Sequence, residues 1–229
     1  MRLNKYEIHI WFAHLNISLA QQKKAYTSLS QDERDRADRF HFTIHKKRFI
    51  ASRSILRYLI SAYLSIPANN IVFGYTEHEK PYLQFPEQAL QFNLSHSGNV
   101  AIYAFSLNYD VGIDIEKIKN DYPVGIAERF FSQAENRYLI ALNEAEKKQA
   151  FYQLWSRKEA IIKATGKGFS IPLSSFSVSP ENKNEIIELN NQSWSLLSLD
   201  SLATYQAAVA TNQPLHLIKL LYHHFSFDF

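Results

Sequence analysis

The chain of 229 residues is long enough for one large domain or two small ones, and its 46% hydrophobic and 21% charged residues are typical of a soluble globular protein. The absence of cysteine excludes disulfides, thiolate zinc sites and cysteine nucleophiles, and it suits a reducing compartment. The net charge of +3 is uneven, because residues 22–58 contain ten Lys or Arg against four Asp or Glu, which gives +6 there and −3 elsewhere.

This basic segment and the amino terminus bear on the choice of partner. A basic run of this strength favours an anionic partner, and the alternative is a solvated helix surface. Residues 5–14 alternate polar with apolar side chains, which predicts a strand and not a secretory signal. No stretch approaches the length needed to cross a bilayer, so we expect a cytoplasmic protein without a membrane partner.

Helix and strand signals follow one another along the first half of the chain. A capping box of Ser30 and Glu33 predicts a helix that begins there. Apolar periodicity predicts a second helix over 45–64, which ends before Pro67. Short apolar runs predict strands at 71–73, 92–94, 100–105 and 111–115, with a loop around 79–81.

A similar order recurs in the second half. A capping box at Ser132 predicts a helix toward Leu142, and the polar run 143–148 is interpreted as a connection. A further helix is predicted over 149–165, stopped by Gly166. Apolar runs predict strands at 176–178, 193–199, 205–210 and 215–222. Because helices precede strands in both parts, the sequence indicates two similar halves.

The segment Gly-Ile-Asp-Ile-Glu at 112–116 contains the first candidate site residues. Alternation along a strand places Asp114 and Glu116 on one face and the two isoleucines on the other. Carboxylates that face together can bind a hard cation, although a solvated strand face is the usual alternative. The glycine of this segment permits close approach of a backbone or a ligand.

A second set of candidates lies on the predicted helix 149–165. Helical spacing places Glu159 and Lys163 one turn apart on a shared face, next to Trp155. Alone, they could be a surface ion pair worth roughly a few tenths of a kcal/mol. Together with the strand carboxylates they supply three acids and an ammonium, which are the ingredients of a cation site that acts on phosphate.

The polar run 93–98 comes directly after an apolar strand. Ser95 and His96 can hold a phosphate there, and the alternative is an ordinary turn rich in serine and glycine. The sequence has no Walker loop, no Gly-x-Gly-x-x-Gly and no Gly-x-Ser-x-Gly, which disfavours the common nucleotide-dependent enzymes and esterases. The basic segment lacks an evident nucleic-acid recognition motif, so no nucleic-acid partner is expected.

Taken in order, these elements resemble the phosphopantetheinyl transferases of the surfactin-synthetase-activating type. The matching segments are 92–97, 111–116, 129–132, 155–163, 166–168 and 171–173. The likeness covers residues 29–178. Each motif alone is weak, but the ordered set is specific to this family.

The resemblance implies an α+β fold of two similar α/β halves related by a pseudo-twofold, here 1–107 and 108–229, with coenzyme A bound between them. It also implies a reaction in which the 4′-phosphopantetheine arm of coenzyme A moves to a serine of an apo acyl, peptidyl or aryl carrier protein. The other product is adenosine 3′,5′-bisphosphate. A site formed within one chain needs no partner subunit, so we expect a monomer.

Carried over residue by residue, the resemblance assigns roles within this site. Mg²⁺ is assigned to Asp114, Glu116 and Glu159, and catalysis to Asp114, to Glu159 as candidate base for the serine, and to Lys163 as the partner of the attacked phosphate. Coenzyme A is assigned to Arg36, Arg48, Lys80, Pro81, Ser95, His96 and Lys163, with Lys80 and Pro81 beside the adenine. This agrees with the chemistry, because phosphoryl transfer needs charge neutralisation and positioning more than covalent catalysis.

Two positions depart from the family pattern. Glu79 stands where a glycine usually precedes Lys-Pro, which puts the shape of the adenine loop in doubt. Glu33 stands at a position that is often lysine, so we expect contacts with the 3′-phosphate of coenzyme A to shift to Arg36 or to weaken. The alternative hypothesis is a non-catalytic coenzyme A or nucleotide-binding protein on the same scaffold, against which the complete set of three acids and a lysine argues.

Overall fold

The structure is a computed structural model that describes residues 1–86, 89–120, 123–200 and 203–227. Its strands are β1 Glu7–His14, β2 Val72–Tyr75, β3 Pro81–Phe85, β4 Leu90–Ser97, β5 Val100–Leu107, β6 Val111–Lys117, β7 Asn184–Leu189, β8 Gln192–Ser198, β9 Tyr205–Thr211 and β10 Lys219–Phe225. Its helices are α1 Leu19–Thr27, α2 Gln31–Asp38, α3 Thr43–Leu64, α4 Val124–Phe130, α5 Gln133–Ala141 and α6 Glu144–Thr165. No helix of this part of the chain is long and apolar enough to span a membrane.

Two four-stranded sheets organise the molecule. The first has the strand order β10-β1-β5-β4 and the second has the order β6-β9-β8-β7, while β2 and β3 form a separate hairpin. β10 pairs in parallel with β1, so a carboxyl-terminal strand completes the first sheet. The edge strands β4 and β6 lie beside each other, and the N–H of Ile113 donates a hydrogen bond to Oδ1 of Asn93 at 2.9 Å. The two sheets therefore meet where the candidate acids lie.

The apolar residues of these elements form a layered core. One face of each sheet packs against the other sheet through residues such as Ile10 and Ile113, which are fully buried. The opposite faces are covered by the two long helices, α3 on the first sheet and α6 on the second. Burying one such isoleucine stabilises the fold by roughly 1.5–3 kcal/mol. The sheets are therefore held rigidly between the helices.

Helix α6 lies against the backbone of β6, because the strand has a glycine at the point of contact. A Cβ built at Gly112 would lie 2.1 Å from the backbone N of Ala164 and 2.2 Å from the carbonyl oxygen of Ala160. The close approach expected at this glycine is therefore made by a helix, not by a ligand. Since β6 and α6 carry the candidate acids and lysine, this contact sets the spacing of the site.

Most of the predicted elements are confirmed. The capping boxes of Ser30 and Ser132 begin α2 and α5, and in each the third residue of the helix, Glu33 or Glu135, accepts a hydrogen bond from the N–H of the capping serine. α6 ends at Gly166, as predicted, with a left-handed φ of 67°.

The predicted connection over 143–148 is wrong, because these residues cap and begin α6. Oδ1 of Asn143 accepts hydrogen bonds from the N–H groups of Ala145 and Glu146, both at 3.1 Å. Glu146 in turn accepts from the N–H of Asn143 at 3.3 Å. This reciprocal pattern is a capping box in which asparagine replaces serine, so the helix begins at Glu144 and not at 149.

Two further expectations about strands are wrong. The polar residues 95–97, expected after a strand, lie within β4, and the turn falls at Gly98 and Asn99. These residues remain in the strand because their backbones pair with β5 up to Ser97 and Val100, across a two-residue turn. Residues 176–178 form an irregular segment in place of a strand, and the N–H of Val178 donates to Oε1 of Glu135 at 2.8 Å.

Candidate active site

The two carboxylates of β6 lie at the junction with β4. Oδ1 of Asp114, a residue only 3% exposed, accepts a hydrogen bond from Oγ of Ser95 at 2.7 Å. Oε2 of Glu116 accepts one from Oγ of Ser97 at 2.8 Å. Because alternate residues of a strand face the same way, the two serines of β4 face the two acids of β6. The carboxylates are therefore held between two sheets and do not form a solvated strand face.

Two residues of α6 face the same junction. Nζ of Lys163 lies 2.5 Å from Oδ1 of Asp114 and 3.1 Å from Oγ of Ser95. Although burial disfavours the ammonium, the carboxylates of Asp114 and Glu159 raise the pKa of Lys163 above its ordinary value. Burial raises the pKa of Glu159 to about 7, with repulsion from the β6 carboxylates adding to the effect and the nearby ammonium opposing it. Glu159 and Lys163 thus belong to one cluster of interacting charges.

The acids have the donor chemistry of a Mg²⁺ site. Oδ2 of Asp114 and Oε1 of Glu159 are buried without a hydrogen-bond partner among the described residues. Within that part of the chain, no three His, Cys, Asp or Glu side chains are grouped so that they could hold a metal ion by themselves. Mg²⁺ usually takes only one or two carboxylates and completes its shell with water and substrate phosphates. The free oxygens of Asp114 and Glu159 therefore have the chemistry of two Mg²⁺ ligands, with the rest of the shell left to water and a phosphate ligand.

Two adjoining cavities open beside Lys163, and Glu159 lines the first of them. The first, of about 620 Å³, extends from Glu159 to Phe169. The second, of about 330 Å³, has Arg36, Arg53 and His96 in its wall. Both cavities are lined by Glu79, Pro81, Leu94 and Lys163. A single cleft therefore runs from an acidic end at the sheet junction to a basic end near α2 and α3.

The structure brings most of the predicted site residues to this cleft. Its walls include Arg36, Lys80, Pro81, Ser95, His96, Glu159 and Lys163. Arg48 lies instead at the turn after β4, where Nε and Nη2 donate to Oδ1 of Asn99 at 3.0 and 2.8 Å. The ammonium of Lys80 points into the protein, 3.0 Å from the carbonyl oxygen of Ala164 and 3.3 Å from that of Val111. Burial lowers the pKa of Lys80 to about 8.

Arg53 is a cleft residue that the sequence analysis misses. Its Nη2 donates to the hydroxyl of Tyr75, and its Nε lies 3.5 Å from Oε1 of Glu33. Oε2 of Glu33 accepts from Nε of Arg57 at 2.6 Å, and the Glu33 side chain is 1% exposed. Glu33 is therefore a buried anchor for two arginines. The signal in the sequence was the acid itself, since a buried carboxylate requires cations, but spacing does not show which arginines supply them.

The turn between β2 and β3 has Glu79 at the position where the family resemblance implies a glycine. Glu79 adopts a left-handed φ of 61°. The N–H of Glu79 donates to the carbonyl of Thr76 at 2.9 Å, and the N–H of Thr76 donates to the carbonyl of Lys80 at 3.0 Å. A side chain in this conformation costs about 1–2 kcal/mol. The turn therefore forms at the expense of local strain.

The chain is similar to known proteins along most of its length. One family model, described as the 4′-phosphopantetheinyl transferase superfamily, matches residues 110–210, and a second, described as 4′-phosphopantetheinyl transferase, N-terminal, matches residues 16–108. The 4′-phosphopantetheinyl transferase HetI of Nostoc sp. is 35% identical over 208 residues, which cover 89% of this chain and 87% of HetI. The corresponding enzyme psf-1 of Bacillus pumilus is 37% identical over 199 residues, covering 85% and 82%.

Two further comparisons cover less of the chain. The 4′-phosphopantetheinyl transferase Sfp of Bacillus subtilis is 37% identical over 162 residues, which cover 71% of each chain. The crystal structure of the holo-[acyl-carrier-protein] synthase of Thermotoga maritima matches 44% of this chain and 61% of that one, with 19% identity and a TM-score of 0.31. This structural likeness is too limited to support an inference about the site.

Proposed function

The chain belongs to the 4′-phosphopantetheinyl transferase superfamily, and we propose that it transfers the 4′-phosphopantetheine arm of coenzyme A to a serine of an apo carrier protein in a Mg²⁺-dependent reaction. The observation that carries this proposal is the cluster of Asp114, Glu159 and Lys163 at one end of the cleft. Such a cluster combines cation ligands with a cation for phosphate, which phosphoryl transfer requires.

In the proposed reaction, the serine oxygen bonds to the phosphorus that carries the pantetheine arm. The bond from that phosphorus to the bridging oxygen breaks, and adenosine 3′,5′-bisphosphate leaves. The serine proton passes to the carboxylate of Glu159, which lines the cleft beside Lys163 and is the candidate general base. Atoms and charge balance without a further reactant.

Lys163 and the β6 carboxylates prepare the cleft for the pyrophosphate of coenzyme A. The ammonium of Lys163 stays charged at neutral pH, because neighbouring carboxylates raise its pKa. It can therefore neutralise charge on the attacked phosphate. Asp114, Glu116 and Glu159 would hold Mg²⁺, which supplies charge neutralisation on the pyrophosphate when bound. The serines of β4 hold two of these acids in place.

The basic end of the cleft supports recognition of the nucleotide part of coenzyme A. Arg36, Arg53 and His96 surround the smaller cavity, which suits the 3′-phosphate. Pro81 lines both cavities and offers an apolar surface to the adenine. We also propose that Arg48 contacts a phosphate at the rim, since its guanidinium lies at the turn that follows His96.

The remaining parts of the proposal concern the assembly and the compartment. We assign residues 1–107 and 108–229 to the two similar halves, with β10 crossing back to the first sheet. We also propose a monomer, since elements of both halves of the chain contribute to the cleft. An acyl, peptidyl or aryl carrier protein is the proposed partner, and the cytoplasm is the proposed location.

The test is the intact mass of a carrier protein after incubation with the purified chain, coenzyme A and Mg²⁺. Carriers of the acyl, peptidyl and aryl classes are run in parallel, with and without a chelator of divalent cations. We expect at least one carrier to gain the mass of one phosphopantetheine, and the gain to stop with the chelator. Asp114→Ala should abolish the gain while its circular dichroism spectrum stays unchanged.

Calorimetry separates this proposal from a binding protein on the same scaffold. If coenzyme A binds but no carrier of any class gains mass, the transferase proposal fails in favour of a non-catalytic coenzyme A-binding protein. If mass is gained equally with the chelator present, the Mg²⁺ part of the proposal fails alone.

A further inference from the structure

The turn between β2 and β3 reaches across the cleft to the second sheet and its helix. Nζ of Lys80 donates to the carbonyl oxygen of Ala164 at 3.0 Å and to that of Val111 at 3.3 Å. A Cβ built at Gly166 would lie 3.4 Å from Cδ of Lys80, so the aliphatic part of this side chain lies close to the end of α6. One side chain from the first half therefore contacts both β6 and α6.

Helix electrostatics explain why an ammonium suits this place. The last four carbonyl groups of an α-helix have no partner within the helix, and they form the negative end of its dipole. Ala164 is in the last turn of α6, and its carbonyl receives a charge-assisted hydrogen bond from Lys80. Lys80 thus caps the carboxyl terminus of α6 from outside the helix.

The two carbonyl groups that accept from Lys80 belong to residues close in sequence to Lys163 and Asp114. Ala164 directly follows Lys163, and Val111 precedes Asp114 by three residues. α6 also touches β6 in this place, at Gly112. The ammonium therefore bonds to both sides of the contact between α6 and β6. This contact sets the distance between Lys163 and Asp114.

We propose that Lys80 is a positioning residue, which fixes the carboxyl terminus of α6 against β6 and so places Lys163 for the transfer. This inference deepens the proposed function and rests on it. It differs from the role that the family resemblance implies for Lys80, a contact with adenine, because the ammonium is directed at two protein carbonyls. The hydrogen bonds of Lys80 also hold the turn 76–80 against residues 166–168, where the side chain of His78 lies near Gly168.

The experiment compares Lys80→Met, which removes the donors, with Lys80→Arg, which keeps charge and donors. Lys183→Met is the matched control, since the Lys183 side chain is 78% exposed. Amide hydrogen exchange of the full chain without substrates is measured over 76–80 and 164–168. Steady-state transfer then gives kcat and the KM for coenzyme A.

We expect exchange over both segments to be at least about tenfold faster in Lys80→Met than in the wild type. Its kcat should fall about tenfold or more, because small misplacements of catalytic groups are costly, while KM changes less than about threefold. Lys80→Arg should restore both quantities to within about threefold of the wild type. Lys183→Met should change neither. If Lys80→Met does not fold, Lys80→Gln replaces it with the same expectation.

The proposal is overturned if Lys80→Met exchanges like the wild type and raises KM at unchanged kcat, since a direct contact with adenine would give that result. Unchanged exchange with a wild-type kcat overturns it as well. The exchange measurement needs no carrier protein and no turnover. It therefore tests the position of α6 even if the transferase proposal itself fails.

Discussion

The two long helices, α3 and α6, perform the same structural task in different ways. Each has 22 residues and covers one four-stranded sheet. Each is preceded by a short helix whose capping-box glutamate also pairs with a buried base of the long helix. These pairs are Glu33 with Arg57, at 2.6 Å, and Glu135 with Lys158, at 3.0 Å. The two halves thus repeat a buried ion pair as well as an order of elements.

The helices differ in how they contact their sheets. α6 meets β6 backbone to backbone at Gly112, where the helix has the small residues Ala160 and Ala164. α3 packs through large side chains of its own and of its sheet, and the rings of Tyr63 and Phe105 lie 4.8 Å apart. A backbone contact leaves less freedom than contacts through long side chains.

The functional groups follow this difference. α6, which contacts its sheet through the backbone, carries Glu159 and Lys163, the groups proposed to act in the transfer. α3 carries Arg53, which lines the basic cavity. The comparison indicates that backbone packing fixes the end of the cleft with Glu159 and Lys163. At the basic end, a side-chain contact with Glu33 holds Arg53.

Adding one methyl group at the contact between β6 and α6 should remove the close backbone packing of α6. It should give the largest loss of stability among the variants considered. Gly112→Ala places a Cβ within 2.2 Å of the α6 backbone, so the helix must move away from β6. We expect a loss of about 4 kcal/mol or more in the free energy of unfolding, because this clash exceeds ordinary overpacking. Transfer activity should be lost with it. Urea unfolding measures the first quantity.

Gly125→Ala is the matched control for this substitution. A Cβ at Gly125 meets nothing within 4 Å, and the residue lies in α4. We expect a gain of about 0.5–1 kcal/mol, as is usual for alanine in place of glycine in a helix. If the two variants lost the same free energy of unfolding, the close contact between Gly112 and α6 would not be the cause of the loss.

Removing the buried bases tests how far the two halves are equivalent. Lys158→Met leaves Glu135 without a cation, and Nζ of Lys158 is also bonded to the carbonyls of Leu173 and Phe176. We expect a loss of about 3–4 kcal/mol in the free energy of unfolding, measured in urea.

The equivalent substitution in the first half should cost less. Arg57→Met leaves Arg53 within 3.5 Å of Glu33, so the carboxylate keeps a cation. We expect a loss of about 2 kcal/mol. A larger loss for Arg57→Met than for Lys158→Met would contradict the role given to Arg53 as a second partner.

Two ligands that differ only in the 3′-phosphate can test whether the basic end of the cleft binds that phosphate. Arg53→Gln should weaken coenzyme A binding about tenfold, because one charge-assisted hydrogen bond is lost, but leave binding of 3′-dephospho-coenzyme A nearly unchanged. Calorimetry with both ligands measures the ratio. Arg39→Gln, on the exposed side of the basic segment, should change neither value. Equal weakening for both ligands would place Arg53 away from the 3′-phosphate.

The smallest effect is expected at the strained turn. Glu79→Gly relieves the left-handed backbone conformation, but glycine also gains freedom in the unfolded chain. The two effects nearly cancel, so we expect a change of less than about 1 kcal/mol in the free energy of unfolding. A loss above about 2 kcal/mol would show that the Glu79 side chain stabilises the turn.

Local signals made much of the fold predictable from the sequence. The capping boxes at Ser30 and Ser132 and the glycine stop at Gly166 depend only on neighbouring residues, so they identify helix ends correctly. Asn143 and Glu146 form a capping box by the same local rule, with asparagine in place of serine. Alternation along β6 likewise predicted which side chains would share a face.

Long-range partners could not be predicted in this way. The hydroxyl of Ser97 donates to Glu116 of another sheet, and nothing within 93–98 shows that partner. The same holds for Lys80, whose carbonyl partners are contributed by distant segments, and for Glu33 with its two arginines. Such contacts depend on how the two sheets and their helices are assembled.

Steady-state transfer by Lys163→Met and Arg53→Gln, each measured up to saturating coenzyme A, tests the division of the cleft most directly. Lys163→Met should remain about 100-fold slower than the wild type at saturation, because it lacks a group that acts on the phosphate in the transition state. Arg53→Gln should approach the wild-type rate at saturation and differ only in KM. An Arg53→Gln enzyme that stays slow at saturation, or a Lys163→Met enzyme that recovers, would contradict this account.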